Sequence, residues 1–393
     1  MKVLIDKKFL LFFILFNLLL MHKFLLSILF KGTIDYEYIM GSWKVAQYFF
    51  NYFDEFAKRA FIGTIFNVFN IIVTHKSIVI ISIFTTNIFF ILFYFFANIA
   101  FRDTEKRYFM MFIILFLFSP GTILHLGIDL GRNDHFMLLV FIISLLILHF
   151  KNDKYFILIP FLLIVGLLIH EIFLFFYAPI IIAVIFFEYK SNNINFKYLI
   201  LSVLTIFITL VCLYLYGKAD EVLINDIKQN VLLVTGNNYD PSSSLKVWSR
   251  SVNDNLFMTL KEALTQDWKI LHFIITMPLT ISMIYMLFRV INLSKNLNKS
   301  MKLLIASLFC MLPMYFLGTD FARWTALLLT NIFILFLYLK INLRIDFMKI
   351  EFELKDKIIL IFILLHSFLG PLGIGGSYDY AIKILVKIKN LIL

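Results

Sequence analysis

The stretch "FMLLVFIISLLILHF" (136–150) contains no Asp, Glu, Lys or Arg. Nearly charge-free runs of this kind recur at about 9–30, 77–101, 108–126, 136–150, 155–170, 171–187, 198–216, 272–292, 303–317, 325–342 and 358–374. In hydrocarbon every backbone N–H and C=O must be satisfied within the structure, which leaves helices and closed barrels. Barrel strands alternate apolar and polar residues, and these runs are continuous. A helix needs about 20 apolar residues to cross. The sequence therefore predicts an all-α, polytopic transmembrane helical bundle of about eleven spans, with residues 1–393 as a single integral membrane domain. Composition agrees: 61% hydrophobic against 16% charged residues leaves too few polar groups to coat a water-facing surface.

The net charge of +11 invites a nucleic-acid reading, but Lys and Arg mostly flank apolar segments, where they anchor helix ends and set orientation. No nucleic-acid partner is expected. Lys2, Lys7 and Lys8 place the N-terminus in the cytoplasm. The opening segment lacks a small-residue cleavage site, so it reads as an uncleaved first span. The short loops "RDTEKR" (102–107), "KNDK" (151–154), "EYKSNNINFK" (188–197), "SKNLNKSMK" (294–302) and "RIDFMK" (344–349) then share the cytoplasmic side. The basic tail "YDYAIKILVKIKNLIL" falls on the other side; it reads as a surface-lying amphipathic helix or as a count off by one. Cys212 and Cys310 lie in apolar segments, with no zinc or disulfide spacing. Abundant Phe, 48 residues, with Ile, Leu, Lys and Asn suggests an AT-rich bacterial gene.

The opposite side collects the unusual features. These are a first outer loop (31–76) holding an interfacial segment (61–74), the "GIDLGRND" junction (127–134), the His170–Glu171 break, a large outer loop (217–271) and "GTDFARW" (318–324). Three clusters set an acid three residues before a base: Glu55 and Lys58, Asp129 and Arg132, Asp320 and Arg323. On a helix each pair shares a face. Self-neutralisation near lipid explains one such pair; three at one membrane face point to function, because charge at membrane depth is costly.

In "YFDEFAKRAFIGT" (52–64), Asp54 and Glu55 precede Lys58 and Arg59. Two adjacent cations at a membrane surface suit an anionic headgroup, phosphate above all; the competing reading is a solvated amphipathic helix. His170 and Glu171 are the most deeply embedded ionisable residues, and together hold or move a proton or bind phosphate. All four Trp residues (43, 248, 268, 324) fall outside. Trp43 reads as an interfacial belt residue, and Trp324 fits either a belt or a platform for sugar rings. There is no P-loop, Rossmann fingerprint, nucleophile elbow or haem pattern, so no cofactor, ATP or redox chemistry is expected. No metal is expected either.

With "DEFAKRAFIG", "GRND", the intramembrane "HE" and "DFARW", the chain resembles bacterial O-antigen polymerases of the Wzy type and, more widely, the GT-C class of membrane glycosyltransferases. The resemblance implies a GT-C-like bundle with two large outer loops in the bacterial inner membrane. It implies an enzyme that joins polyprenyl-pyrophosphate-linked glycans already flipped outward, with the phosphate as leaving group. A chain-length regulator is an implied partner. On that reading Lys58, Arg59, Arg132 and Arg323 bind the pyrophosphate, and Asp54 or Glu55 takes the proton of the attacking hydroxyl. Asp129 and Asp320 orient the arginines, His170 and Glu171 steer phosphate or a proton, and Trp324 meets glycan. Two alternatives stand beside the polymerase. One is a GT-C enzyme adding single sugars from a polyprenyl-phosphate donor. The other is a flippase or transporter for lipid-linked glycans, disfavoured because the charges gather at one face and no internal repeat is seen.

Overall fold

The structure is a computed structural model that describes residues 7–104, 106–236, 239–249, 267–293, 299–317, 320–343 and 353–367, with positions 257, 258, 261 and 372. Every regular element among them is a helix. Five are long and apolar enough to cross a membrane: His75–Ala100, Lys106–Ile128, Phe173–Lys190, Phe196–Tyr216 and Phe321–Asn342. The first apolar run becomes Lys7–Leu20 and His22–Lys31, bent by 51°, a sixth span if the pair is counted as one. The bend frees the Leu19 carbonyl, and His22 Nδ1 closes on it at 2.8 Å.

Several of the runs expected as spans form shorter helices. Asp134–Phe150 has 17 residues and Leu158–Ile169 has 12; at about 1.5 Å per residue the second reaches about 18 Å, short of a core of about 30 Å. The run 155–187 breaks at His170–Glu171, as its length requires. The run 303–317 is divided among Lys299–Ala306, a 3₁₀ turn Ser307–Met311 and Met314–Leu317. Most of 250–266, the loop at 344–352 and the basic tail lie outside the described residues, as does the side chain of Trp268.

The chain divides into two compact units, one of residues 1–22, 90–129 and 259–393, the other of 23–89 and 130–258. The first is stitched by phenylalanine. Phe93 stacks on Phe116 at 3.8 Å, Phe16 on Phe90 at 4.2 Å, and Phe112 meets both Phe333 and Phe336. Polar contacts fix the register of Phe321–Leu343: Lys340 Nζ donates to Thr104 Oγ1 and Thr330 Oγ1 to the Gly121 carbonyl, each at 2.9 Å.

In the second unit, Asp134–Phe150, Leu158–Ile169, Ala178–Lys190 and Phe196–Tyr216 pack side by side. At one end the fully buried Glu188 takes Lys151 at 3.1 Å and Asn193 at 2.6 Å. The helix Phe196–Tyr216 leaves Ile200, Val203, Phe207, Ile208 and Val211 exposed. So continuous an apolar flank is unfavourable in water and natural against acyl chains.

Candidate functional site

The second unit gathers three backbone interruptions. The first is residues 49–60, between the 3₁₀ turn Ser42–Tyr48 and the helix Phe61–Val68. The acid–base spacing there predicts a shared helical face, but Asn51 turns the chain instead. Its Oδ1 accepts from the amides of Phe53 (3.0 Å) and Asp54 (3.2 Å), and its Nδ2 donates to the Asp54 carboxylate at 2.6 Å. Such Asn side chains compete with helix for the backbone. Glu55 therefore does not face Lys58; it accepts from the Asp220 amide at 3.1 Å, while the Lys58 amide donates to the Gly217 carbonyl at 3.0 Å. The loops at 31–76 and 217–271 thus touch here. Gly63 lets the next helix lie against this segment: a Cβ at that position would sit 2.0 Å from the Phe50 carbonyl oxygen.

The segment ends on Arg59, a non-glycine residue at φ 63°. Left-handed backbone at a side chain of this size stores about 1 kcal/mol or more and persists where surroundings over-determine it. Those surroundings are clear. Arg59 Nε lies 2.9 and 3.1 Å from the two Glu171 oxygens, and Nη2 meets the same carboxylate. The guanidinium carbon stands 5.7 Å from the Trp248 ring centre. Trp248 is itself fixed, its Nε1 donating to the Lys58 carbonyl at 2.9 Å and its ring stacked on Phe50 at 4.4 Å and 9°.

The second interruption supplies Glu171. His170 ends Leu158–Ile169 in extended backbone. Its Nδ1 is 3.2 Å from the Ile172 amide and 3.3 Å from a Glu171 oxygen. A neutral ring accepts from the amide and a protonated one donates to the carboxylate. Burial works to raise the Glu171 pKa, but the Arg59 guanidinium, with help from His170, holds it well below the ordinary carboxylate value. Burial pushes the half-buried Lys58 ammonium below its ordinary pKa, against an upward pull from Glu171. Among the described residues the Lys58 ammonium has no hydrogen-bond acceptor of its own, and Arg59 Nη1 has none. Two cations share one carboxylate, so the cluster keeps an excess positive charge.

The third interruption is residues 130–133. Gly131 takes φ 86°, and its carbonyl accepts from Gln47 Nε2 and from the Tyr48 hydroxyl at 3.0 Å. Lys44, buried, donates to the Leu130 carbonyl at 2.8 Å. The Arg132 guanidinium is buried 4.5 Å over the Trp43 ring, so Trp43 is a cation platform as well as a surface aromatic. Asn133 Nδ2 donates to the Ile169 carbonyl at 3.1 Å and so ties this interruption to the His170 break. The spacing of Asp129 and Arg132 predicts one helical face, but the helix Ile123–Ile128 ends before them and the next begins at Asp134.

The structure thus brings together Lys58, Arg59, His170 and Glu171, with Arg132 one hydrogen bond removed along the chain. Asp54 and Glu55 are engaged by Asn51 and Asp220. Asp129, Asp320, Arg323 and Trp324 belong to the other unit. There Asp129 lies 3.7 Å from His125, whose Nδ1 meets the Leu372 carbonyl at 2.6 Å. Asp320 and Arg323 pair at 3.6 Å where Phe321–Leu343 begins. Trp324 is buried, edge-on to Tyr315 at 5.6 Å. Sequence reading missed Lys44, Gln47, Tyr48, Asn133 and His125. A single polar residue in a loop, or one beside an apolar run, gives no signal until its partner is known. The described residues contain no group of three His, Cys, Asp or Glu side chains fit to hold a metal ion. Comparison of the chain with protein-family models, with curated proteins and with solved structures gave no match.

Proposed function

We propose that the protein is a membrane glycosyltransferase of the polysaccharide-polymerase type. It extends polyprenyl-pyrophosphate-linked O-antigen or surface-polysaccharide repeat units at the outer face of the bacterial inner membrane. The observation that supports this reading is the Lys58–Arg59 pair: an ammonium with no acceptor of its own among the described residues, beside a guanidinium with an open edge. Both are held where remote interruptions of apolar helices meet. A phosphate ester offers the charge and the paired oxygens that such a fork takes, and a polyprenyl tail suits a site in a bilayer. The two cations offset negative charge growing on the leaving pyrophosphate. The substrate carries its own activation energy, which fits a chain without nucleotide-binding motifs.

In this reading the bundle is GT-C-like with a cytoplasmic N-terminus, and the shorter helices pack within it around the site. Arg132 on Trp43 steadies the adjoining interruption, and a chain-length regulator is a natural partner. The test is the surface-glycan profile of a strain lacking the gene. The polymerase reading expects loss of long repeats with a single unit still transferred. One missing sugar would assign a single-sugar transferase instead. Build-up of lipid-linked units inside the cell would assign a flippase and overturn the enzyme reading.

A further inference from the structure

We infer that Glu171 is the built-in occupant of this anion site, displaced from Arg59 by the substrate phosphate and thereby released to take the proton of the attacking hydroxyl. The inference rests on the reading of the site given above. Its starting point is shape. A carboxylate gripped by Nε and Nη2 of one arginine presents two oxygens in the arrangement that two phosphate oxygens adopt on the same fork.

The two partners are anchored unequally. Arg59 is held from behind by Trp248, which stacks on Phe50 and binds the Lys58 carbonyl. It stays in place when its carboxylate leaves. Glu171 stands in the interruption between Leu158–Ile169 and Phe173–Phe176, with its side chain 36% exposed. It has room to turn away. Lys58 supplies the additional charge by which a pyrophosphate, with a negative charge on each of its phosphates, outcompetes a single carboxylate.

Release changes the chemistry of Glu171. Paired with Arg59 it is a weak base, because the guanidinium favours the ionised form. Once that cation is turned to phosphate, its hold on the ionised form is lost and the negative phosphate stands nearby, both of which raise proton affinity toward the range where general-base catalysis works. The neighbouring carboxylates are otherwise occupied, Asp54 by Asn51 and Glu55 by the Asp220 amide. In the transfer step the acceptor oxygen forms its bond to the anomeric carbon and gives its proton to Glu171. The bond from that carbon to the phosphate oxygen breaks, and its electron pair leaves with the polyprenyl pyrophosphate held by Lys58 and Arg59. Glu171 gives up its proton to water as the product departs, and Arg59 recaptures the carboxylate. The base is thus unmasked only when a donor is bound.

The experiment measures inorganic pyrophosphate binding by calorimetry on the full chain in phosphatidylcholine nanodiscs, alongside the surface-glycan profile of cells producing each variant. Glu171→Gln removes the internal competitor, so pyrophosphate binds about tenfold tighter or more, while long glycan falls by about 100-fold or more with the base gone. Glu171→Asp, a carboxylate with shorter reach, also binds tighter but keeps part of the glycan. Unchanged pyrophosphate affinity in both variants overturns the exchange, and full-length glycan in Glu171→Gln overturns the base. Competition of phosphatidylglycerol nanodiscs with pyrophosphate, together with intact glycan in Lys58→Ala, would assign the site to a lipid headgroup and also overturn it. The proposed function fails separately, when Lys58→Ala and Arg59→Lys leave both pyrophosphate binding and glycan unchanged or when the deletion strain accumulates lipid-linked units inside the cell.

Discussion

Arg59 and Glu171 stand 112 residues apart in the chain, yet two guanidinium nitrogens reach the same carboxylate. The pair joins the interruption after Ser42–Tyr48 to the one after Leu158–Ile169. Replacing Arg59 by Lys keeps the charge and loses the planar fork. Long surface glycan is expected to fall sharply while the protein is still made. Arg59→Gly relieves the left-handed backbone, worth about 1 kcal/mol, and abolishes long glycan altogether. A melting curve of detergent-solubilised protein beside a glycan gel tests both; wild-type glycan in Arg59→Gly would contradict the assignment.

Gly63 is expected to tolerate no side chain. Its Cβ would meet the Phe50 carbonyl oxygen at 2.0 Å and that of Tyr48 at 2.7 Å, and both are backbone atoms. Gly63→Ala should destabilise by about 1–3 kcal/mol, the usual cost of overpacking, and dislodge the segment carrying Lys58 and Arg59. Fluorescence-detected size exclusion after a heat step reads this as an earlier loss of the monodisperse peak.

Trp248 separates two kinds of support. Trp248→Phe keeps a ring against Phe50 and loses the hydrogen bond to the Lys58 carbonyl, a loss of about 1 kcal/mol. Trp248→Ala also removes the surface behind Arg59, so its glycan defect should exceed that of the Phe variant. Equal defects would show that the ring face is idle.

Asn133→Ala withdraws the donor from the buried Ile169 carbonyl, at about 1–3 kcal/mol for an unsatisfied group. Hydrogen exchange should rise around both 130–133 and 169–172. A rise at one interruption alone would refute their coupling.

The acid limb of stability carries the Glu171 pair. The carboxyl has a folded pKa well below its ordinary 4.5, so its contribution is complete above about that value and lost as pH falls through the lower, folded one. The difference in melting temperature between wild type and Glu171→Gln should be flat from neutral pH down to that ordinary value, then shrink. A difference that already narrows near neutrality would contradict the depressed pKa.

Much of this was legible beforehand, for physical reasons. An apolar run in lipid has few options besides helix, and the runs became helices. His170 and Glu171 mark a break because two ionisable groups interrupt an apolar stretch otherwise too long for one span. "DEFAKR" stands out because adjacent cations serve no orienting purpose in a loop expected to face outward, and the structure sets them beside Glu171. What stayed hidden is partnership. An acid three residues from a base suggests a pair only on a helix, and Asn51 prevents one at 51–60. Glu171 as the mate of Arg59, Trp248 as its backing and Lys44 beneath Leu130 depend on chain reversals that no local pattern records. The number of crossings was equally hard to count, since a 12-residue helix such as Leu158–Ile169 and a full span look alike in composition.

The Asn133 amide gripping the Ile169 carbonyl has a mechanical corollary. Two stretches that forfeit helical geometry are braced against each other, so neither shifts without straining its neighbour. An occupant that draws Glu171 off Arg59 pulls on the strut beside it, and the tension runs through that amide to the backbone under Arg132. On the proposed reading, an arriving donor is thereby felt at Arg132.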